Sequence, residues 1–277
     1  MSAEAGGLED LVDPARSAER PLSVAVLMLQ PACNMACSFC VTEDGFDAIR
    51  FDQALDLLEE LTARGVRSIV LGGGEPLVWP GDLLRLAGEA KSRGFCVQVG
   101  TNAIRLPHGF EELDCIDRWV LPLESADPEV HGRMRYRPAG HHALILRRLE
   151  ALRRVGKSVT LSTVVTAVNA AGVEDLARFL EEYHAHAGNI HAWHLYRFLP
   201  LGRGGASNAD SLAIPEREYL AACERVTERG LGFRVFRRAD MYHSRTVEFF
   251  WSEGGVLRSG SEAWARADTG SAPESPR

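Results

Sequence analysis

The chain has almost no lysine. Lys91 and Lys157 are the only two among 31 basic residues, set against 38 acidic ones, for a formal charge of −7 in 277 residues. That balance argues against a nucleic-acid partner bound through its backbone, which needs a basic surface. The excess of arginine over lysine, beside frequent alanine, reads as the base composition of a GC-rich genome and not as a phosphate-binding face. No apolar run approaches the ~20 residues of a membrane span, so no membrane partner is expected. The opening residues Met1-Ser2-Ala3-Glu4-Ala5-Gly6-Gly7 lack the basic-then-apolar order of a secretory signal. Six cysteines, three of them clustered, do not make a disulfide framework, so a reduced, cytoplasmic setting is expected. Internal repeats and low-complexity domains are missing too.

What is present is an alternation of strand and helix patterns. The predicted strands are 23–30, 67–71, 95–100, 117–123, 158–166 and 190–199. The predicted helices are 51–64, 79–93, 128–155 with a break near Pro138-Ala139-Gly140, 171–187 and 214–229, with a short piece near 109–115. In 51–64 the apolar positions Leu55, Leu57, Leu58 and Leu61 share a face, with Glu59, Glu60 and Arg64 outward. Such alternation implies right-handed β-α-β units and a parallel sheet. The expected fold is α/β, a partial (β/α)6 TIM-like barrel with a short C-terminal extension. Its expected division is a flexible stretch 1–20, the barrel 21–230, a cap or extra sheet segment 231–261 containing strand-like pieces 233–236 and 247–251, and a flexible tail 262–277.

The densest chemistry follows the first strand. Cys33-Asn34-Met35-Ala36-Cys37-Ser38-Phe39-Cys40 sets three cysteines in a C-x3-C-x2-C run. Three thiolates with no fourth partner nearby suit an iron–sulfur cluster that leaves one iron open. A structural zinc site wants four closed ligands. The second strand runs into Gly72-Gly73-Gly74-Glu75-Pro76, where glycines allow close backbone approach and a carboxylate could hold an ammonium group. The same residues could equally form a plain turn ended by proline. The third strand ends in Gly100-Thr101-Asn102-Ala103, and the fourth in Leu121-Pro122-Leu123-Glu124-Ser125-Ala126-Asp127-Pro128-Glu129-Val130-His131-Gly132-Arg133-Met134-Arg135.

Taken together, these segments resemble the radical S-adenosylmethionine (radical SAM) superfamily over roughly residues 22–205. The resemblance implies one [4Fe–4S] cluster held by Cys33, Cys37 and Cys40, with S-adenosylmethionine (SAM) on the fourth iron. It implies that Gly73, Gly74 and Glu75 meet the SAM amino group and that Asn102 lies near its carboxylate, although Ala103 replaces the glycine of many members and a simple Asx turn is the alternative. Glu124 and Ser125 become candidates for the ribose hydroxyls, and Arg135 for the SAM carboxylate or else a solvated helix position. Ser162 of Val159-Thr160-Leu161-Ser162-Thr163-Val164-Val165-Thr166 either faces SAM or satisfies a hydrogen bond inside the barrel.

The sixth strand ends in Tyr196-Arg197-Phe198-Leu199-Pro200-Leu201-Gly202-Arg203-Gly204-Gly205. This resembles the branch containing the molybdenum-cofactor GTP cyclase and viperin-like enzymes. Arg197 and Arg203 either meet an anionic substrate or belong to an ordinary surface loop. His141 and His142 are adjacent, so they read as helix-start residues that cannot both face one site. Cys96, Cys115 and Cys223 read as buried small hydrophobes, and with no cysteine beyond Cys223 no auxiliary cluster is expected.

The implied reaction is reductive cleavage of SAM and hydrogen abstraction from a small-molecule substrate, with electrons from a donor such as flavodoxin or ferredoxin. The expected substrate is a small anionic metabolite, a nucleoside, nucleotide or sugar acid, in a decarboxylase or deoxygenase of natural-product biosynthesis. Peptide or protein modification is the alternative enzyme reading, and a zinc-stabilised interaction module the non-enzymatic one. No catalytic residue is singled out; Tyr196, Cys96 and Cys115 are candidate hydrogen-atom donors only if they reach the cavity.

Overall fold

The computed structural model describes residues 22–135, 139–238 and 246–260. The stretches 1–20 and 262–277 lie outside them, as do 136–138 at the expected helix break. Nine strands run in chain order: β1 (Val24–Met28), β2 (Ser68–Gly72), β3 (Cys96–Gly100), β4 (Arg118–Pro122), β5 (Ser158–Val165), β6 (Ile190–Arg197), β7 (Arg234–Arg238), β8 (Val247–Glu253) and β9 (Val256–Ser259). They form one sheet among the described residues, ordered β7-β6-β5-β4-β3-β2-β1-β8-β9. All neighbours are parallel except β8 and β9, which pair antiparallel across Gly254 and Gly255, both at positive φ. The sheet is an open, partial barrel. The segment after residue 230 splits between its two edges: β7 lies beside β6, and the β8–β9 hairpin lies beside β1.

Six longer helices cover the outside: α1 (Phe51–Ala63), α2 (Leu83–Ser92), α3 (Pro128–Met134), α4 (His141–Val155), α5 (Val173–Ala187) and α6 (Glu216–Glu228). In α1 the fully buried face is Ala54, Leu57, Leu58 and Leu61, with Leu55 at its margin. The helix predicted from 79 begins instead at Leu83. Trp79 precedes Pro80, which disfavours helical backbone, and the Asp82 side chain accepts from the Arg85 N–H at 3.0 Å to cap the helix. The predicted 128–155 helix is two, α3 and α4, with Gly140 in the left-handed region just before His141.

Alternate strand residues separate two environments. Ala25, Leu27, Ile69, Leu71, Val97, Val99, Trp119 and Leu121 are buried under the helices. Their neighbours, such as Val120, Pro122, Ser162 and Tyr196, face the barrel interior and line its cavity. Cys223 is buried in α6, as expected for a small hydrophobe, but Cys96 and Cys115 are only half-buried. Cys96 belongs to the inward series of β3, while Ile116 takes the core position beside Cys115. Among the described residues no helix is long and apolar enough to cross a membrane.

Candidate functional site

Every chemically notable segment leaves the carboxyl end of a strand, where parallel α/β barrels gather their loops. After β1 the chain passes Gln30-Pro31-Ala32 into the cysteine run. The glycine loop after β2 is stitched to that approach: Gly74 N–H donates to Gln30 O at 2.7 Å, Glu75 N–H to Ala32 O at 2.9 Å, and Gln30 Nε2 to Glu75 O at 2.9 Å. Gly73 has φ +123°, and a Cβ there would sit 2.6 Å from Gln30 O. A Cβ on Gly74 would collide with the carbonyls of Pro31 and Ala32. These glycines therefore let the second loop press against the base of the cysteine loop, a close approach of chain to chain.

Glu75 is completely buried. Its carboxylate accepts from Thr101 Oγ1 at 2.6 Å, Asn102 N at 2.7 Å and Leu77 N at 3.1 Å. Burial pushes its carboxyl up, and these donors pull it back. Glu75 thus ties the β2 loop to the β3 loop and does not line the cavity. Asn102, once fixed, donates from Nδ2 to Asn34 Oδ1 at 2.7 Å and to Cys33 Sγ at 3.7 Å.

The fourth loop is organised in the same way. Glu124, also buried, accepts from Arg135 Nε at 2.8 Å and from Val164 N at 2.7 Å. Arg135 then lies over the Phe39 ring at 5.1 Å and donates from Nη1 to Cys37 Sγ at 3.5 Å. Ser125 accepts from Asp127 N at 3.0 Å within its own turn. Glu124 and Ser125 stand behind the cavity wall, while Arg135 forms part of it.

Two buried histidines complete the frame. His131 Nδ1 accepts from Glu124 N at 3.2 Å, His131 Nε2 lies 2.8 Å from His141 Nδ1, and His141 Nε2 lies 2.9 Å from Asn102 O. The His142 ring crosses the His131 ring at 75° with centroids 5.3 Å apart, while the His141 ring lies nearly coplanar with it, centroids 5.1 Å apart. Both adjacent residues therefore meet the His131 ring, His141 through the in-plane nitrogen–nitrogen contact and His142 at a steep angle.

The loop after β6 closes the cysteine run from the opposite side. Gly204 and Gly205 N–H groups both donate to Cys40 O at 3.1 Å, and Asn208 Nδ2 donates to Ser38 O at 3.1 Å. A side chain on Gly204 would strike the Cys37 carbonyl.

These loops surround a cavity of about 270 Å³ whose wall includes Cys33, Cys37 and Cys40. Gly73, Gly74, Asn102, Arg135 and Ser162 share that wall, and Tyr196 and Arg197 reach it from β6. Arg197 pairs with Glu216 at 3.3 Å. Arg203 is absent from the wall and turns toward Asp44 at 2.9 Å. Cys96 and Cys115 do not line it either, which leaves Tyr196 alone among the three candidate hydrogen-atom donors.

Burial pushes the Cys33 thiol up and the Cys37 thiol up to about 11, against the opposing charge of Arg135. Binding a metal centre therefore has to displace the protons these thiols keep. Among the described residues no three His, Cys, Asp or Glu side chains gather closely enough for a single metal ion. Three thiols on one cavity wall, too spread for one ion, fit a polynuclear iron–sulfur core. Behind that wall, beside Cys40, the Arg203 Nη2 is buried with no hydrogen-bond partner among the described residues.

A family model described as the radical SAM superfamily matches residues 27–180. Mycofactocin maturase MftC of Mycobacterium ulcerans (strain Agy99) is 32% identical over 181 residues, 62% of this chain and 46% of that protein. An S-adenosylmethionine-dependent nucleotide dehydratase of Lacinutrix mariniflava is 26% identical over 217 residues, 71% of this chain and 42% of that protein. The chain thus spans about half the length of these curated relatives. In fold it is similar to Streptococcus suis SuiB bound to S-adenosylmethionine, with a TM-score of 0.64 at 16% identity over 82% of this chain and 54% of that one. The family match covers more than half of the 277 residues, and the chain belongs to the radical SAM superfamily: it is an enzyme whose cofactors are a [4Fe–4S] cluster and S-adenosylmethionine.

Proposed function

We propose that Cys33, Cys37 and Cys40 ligate the cluster and that the substrate is a small anionic metabolite, a nucleoside, nucleotide or sugar acid, bound inside the barrel. When bound, the reduced cluster and SAM supply a 5′-deoxyadenosyl radical that abstracts hydrogen from an unactivated C–H bond. Gly73 and Gly74 offer backbone to the SAM amino group. Asn102 and Arg135 face its carboxylate, and Ser162 its nucleoside side. Glu75 and Glu124 act one step back, holding Asn102 and Arg135 in place. An external low-potential donor such as flavodoxin or ferredoxin delivers the electrons.

One observation carries the substrate reading: Arg118 and Arg238 turn into the barrel with no carboxylate partner among the described residues. Arg118 lies on the inward series of β4 with Val120 and Pro122, and donates only to neutral groups, Ser158 Oγ at 3.1 Å and Gln98 Oε1 at 3.2 Å. Arg238 pairs in register with Tyr196, and its Nε donates to His194 Nδ1 at 3.3 Å. Burial beside these arginines lowers His194 to about 3, so it stays neutral and accepts. Thr160 Oγ1, also on the inward series, is buried without a partner. Neither arginine stands on the wall of the cysteine cavity; half-buried cations facing the barrel interior beside it favour an anionic guest. Decarboxylation or deoxygenation of such a guest in natural-product biosynthesis is the reaction this supports.

The test is 5′-deoxyadenosine release by the reconstituted enzyme with a panel of nucleotides, nucleosides, sugar acids and short peptides. An anionic small molecule should accelerate release, and Arg238→Ala should lose that acceleration while keeping the slow background. Acceleration by uncharged nucleosides alone would overturn the reading. The 32% identity to a maturase favours peptide or protein modification as the second reading, and acceleration by peptides alone would establish it.

A further inference from the structure

Two of the three cysteine sulfurs have visible nitrogen donors. Cys33 Sγ receives Met35 N–H at 3.4 Å and Asn102 Nδ2 at 3.7 Å, and Cys37 Sγ receives Arg135 Nη1 at 3.5 Å. The third, Cys40, has Arg203 as its neighbour. The backbone around Arg203 is clamped to the cysteine loop, with Arg203 N–H donating to Thr42 O at 3.1 Å beside the two glycine bonds to Cys40 O. Gly202 has φ +70°, and a side chain there would strike Val41. Such a backbone fixes where the Arg203 side chain leaves the chain, next to the cysteine loop.

That guanidinium is incompletely used. Nη1 reaches Asp44 at 2.9 Å, whereas Nη2 is buried with no hydrogen-bond partner, a costly arrangement unless something accepts from it. Burial works against its charge, and its neighbours Cys40 and Asp44 support it. Asp44 is 70% exposed, so water weakens its attraction without cancelling it. Arg135 differs, because its partner Glu124 is 0% exposed and cancels its charge locally. Of the two arginines beside the thiols, Arg203 keeps the larger uncompensated charge.

We propose that Arg203 tunes the cluster: its buried Nη2–H bonds to sulfur on the Cys40 side, and its charge stabilises the reduced state. One electron from a low-potential donor takes the cluster from 2+ to 1+ with no bond broken. It adds one negative charge to the cluster and its thiolates, and a nearby cation lowers the energy of that charge. The proposal rests on the three cysteines being the ligands and is independent of the substrate. It replaces the expectation that Arg203 meets a substrate anion.

The experiment is a potentiometric titration of the reconstituted cluster followed by electron paramagnetic resonance, with iron per chain measured on the same samples. At the wild-type midpoint, Arg203→Gln should lower the ratio of reduced to oxidised cluster about tenfold, a shift of about 59 mV for one electron. Arg203→Lys should restore most of that ratio, and Asp44→Asn, on an exposed residue, should raise it by freeing the arginine charge. Wild-type titrations from both Arg203→Gln and Asp44→Asn, at full iron content, would overturn the proposal. Should Arg203→Gln take up no iron, Asp44→Asn is read against Glu43→Gln, an exposed neighbouring acid: a larger rise in Asp44→Asn supports the proposal, and an equal or absent one overturns it. A wild-type chain that builds no cluster would remove the ligand assignment, and the proposal with it.

Discussion

His131 and His141 hydrogen-bond ring to ring, Nε2 to Nδ1 at 2.8 Å, and their neighbours fix the direction of the bond. Glu124 N–H can only donate, so His131 Nδ1 accepts and its proton sits on Nε2. His141 Nδ1 then accepts, and its Nε2–H donates to Asn102 O. The chain of bonds links the β4 loop to the β3 loop with both rings neutral.

This relay makes stability depend on pH. Burial first, then the charge of Arg135, lowers His131 to about 2 and His141 to about 4. Below the ordinary histidine value of about 6.5 the unfolded chain binds protons that the folded chain refuses. Stability therefore falls as pH drops from about 6.5 toward 4. Thermal unfolding of the iron-free protein across that window should show the slope, and His141→Gln should reduce it. An equal slope in the variant would place the protons elsewhere.

Arg135→Ala removes the partner of a fully buried carboxylate. It should destabilise the fold by about 3–5 kcal/mol. The double variant Glu124→Gln, Arg135→Gln leaves no orphaned charge and should cost less than the single one. Denaturant unfolding of both separates the ion pair from simple loss of packing.

Gly74→Ala forces the β2 loop away from Pro31 and Ala32. Overpacking of this kind costs about 1–3 kcal/mol, and Tm should fall by roughly 2–4 °C for each kcal/mol in a chain of this size. Gly45→Ala, with nothing within 4 Å of the added carbon, is the control and should leave Tm close to wild type.

The barrel was legible because β1 to β6 are apolar runs separated by amphipathic helices, a pattern with few folded solutions. β7 was partly legible as Phe233-Arg234-Val235-Phe236, but not its partner, since a short strand carries no mark of the edge it joins. The cysteine run stood out by its spacing, whereas the glycine loop and Arg135 became candidates only through the resemblance to the radical SAM superfamily. The roles of Glu75 and Glu124 did not. A carboxylate in a loop reads as a ligand contact, and only the fold reveals that Thr101, Asn102 and Val164 already occupy it. The relay was invisible for a similar reason: His131 and His141 stand on different helices. Asn169, which donates to Glu124 O at 2.8 Å and Val164 O at 3.0 Å, left no sequence signal either.

The most direct test is anaerobic reconstitution of wild type and of Cys33→Ala, Cys37→Ala and Cys40→Ala with iron and sulfide. Electron paramagnetic resonance of the dithionite-reduced samples, with and without SAM, is then read beside 5′-deoxyadenosine release. Wild type should give a [4Fe–4S] signal that SAM alters and should release 5′-deoxyadenosine slowly, while each variant loses both together. A wild type that takes up zinc and builds no SAM-responsive cluster, or a single variant that keeps cluster and activity, would contradict the account.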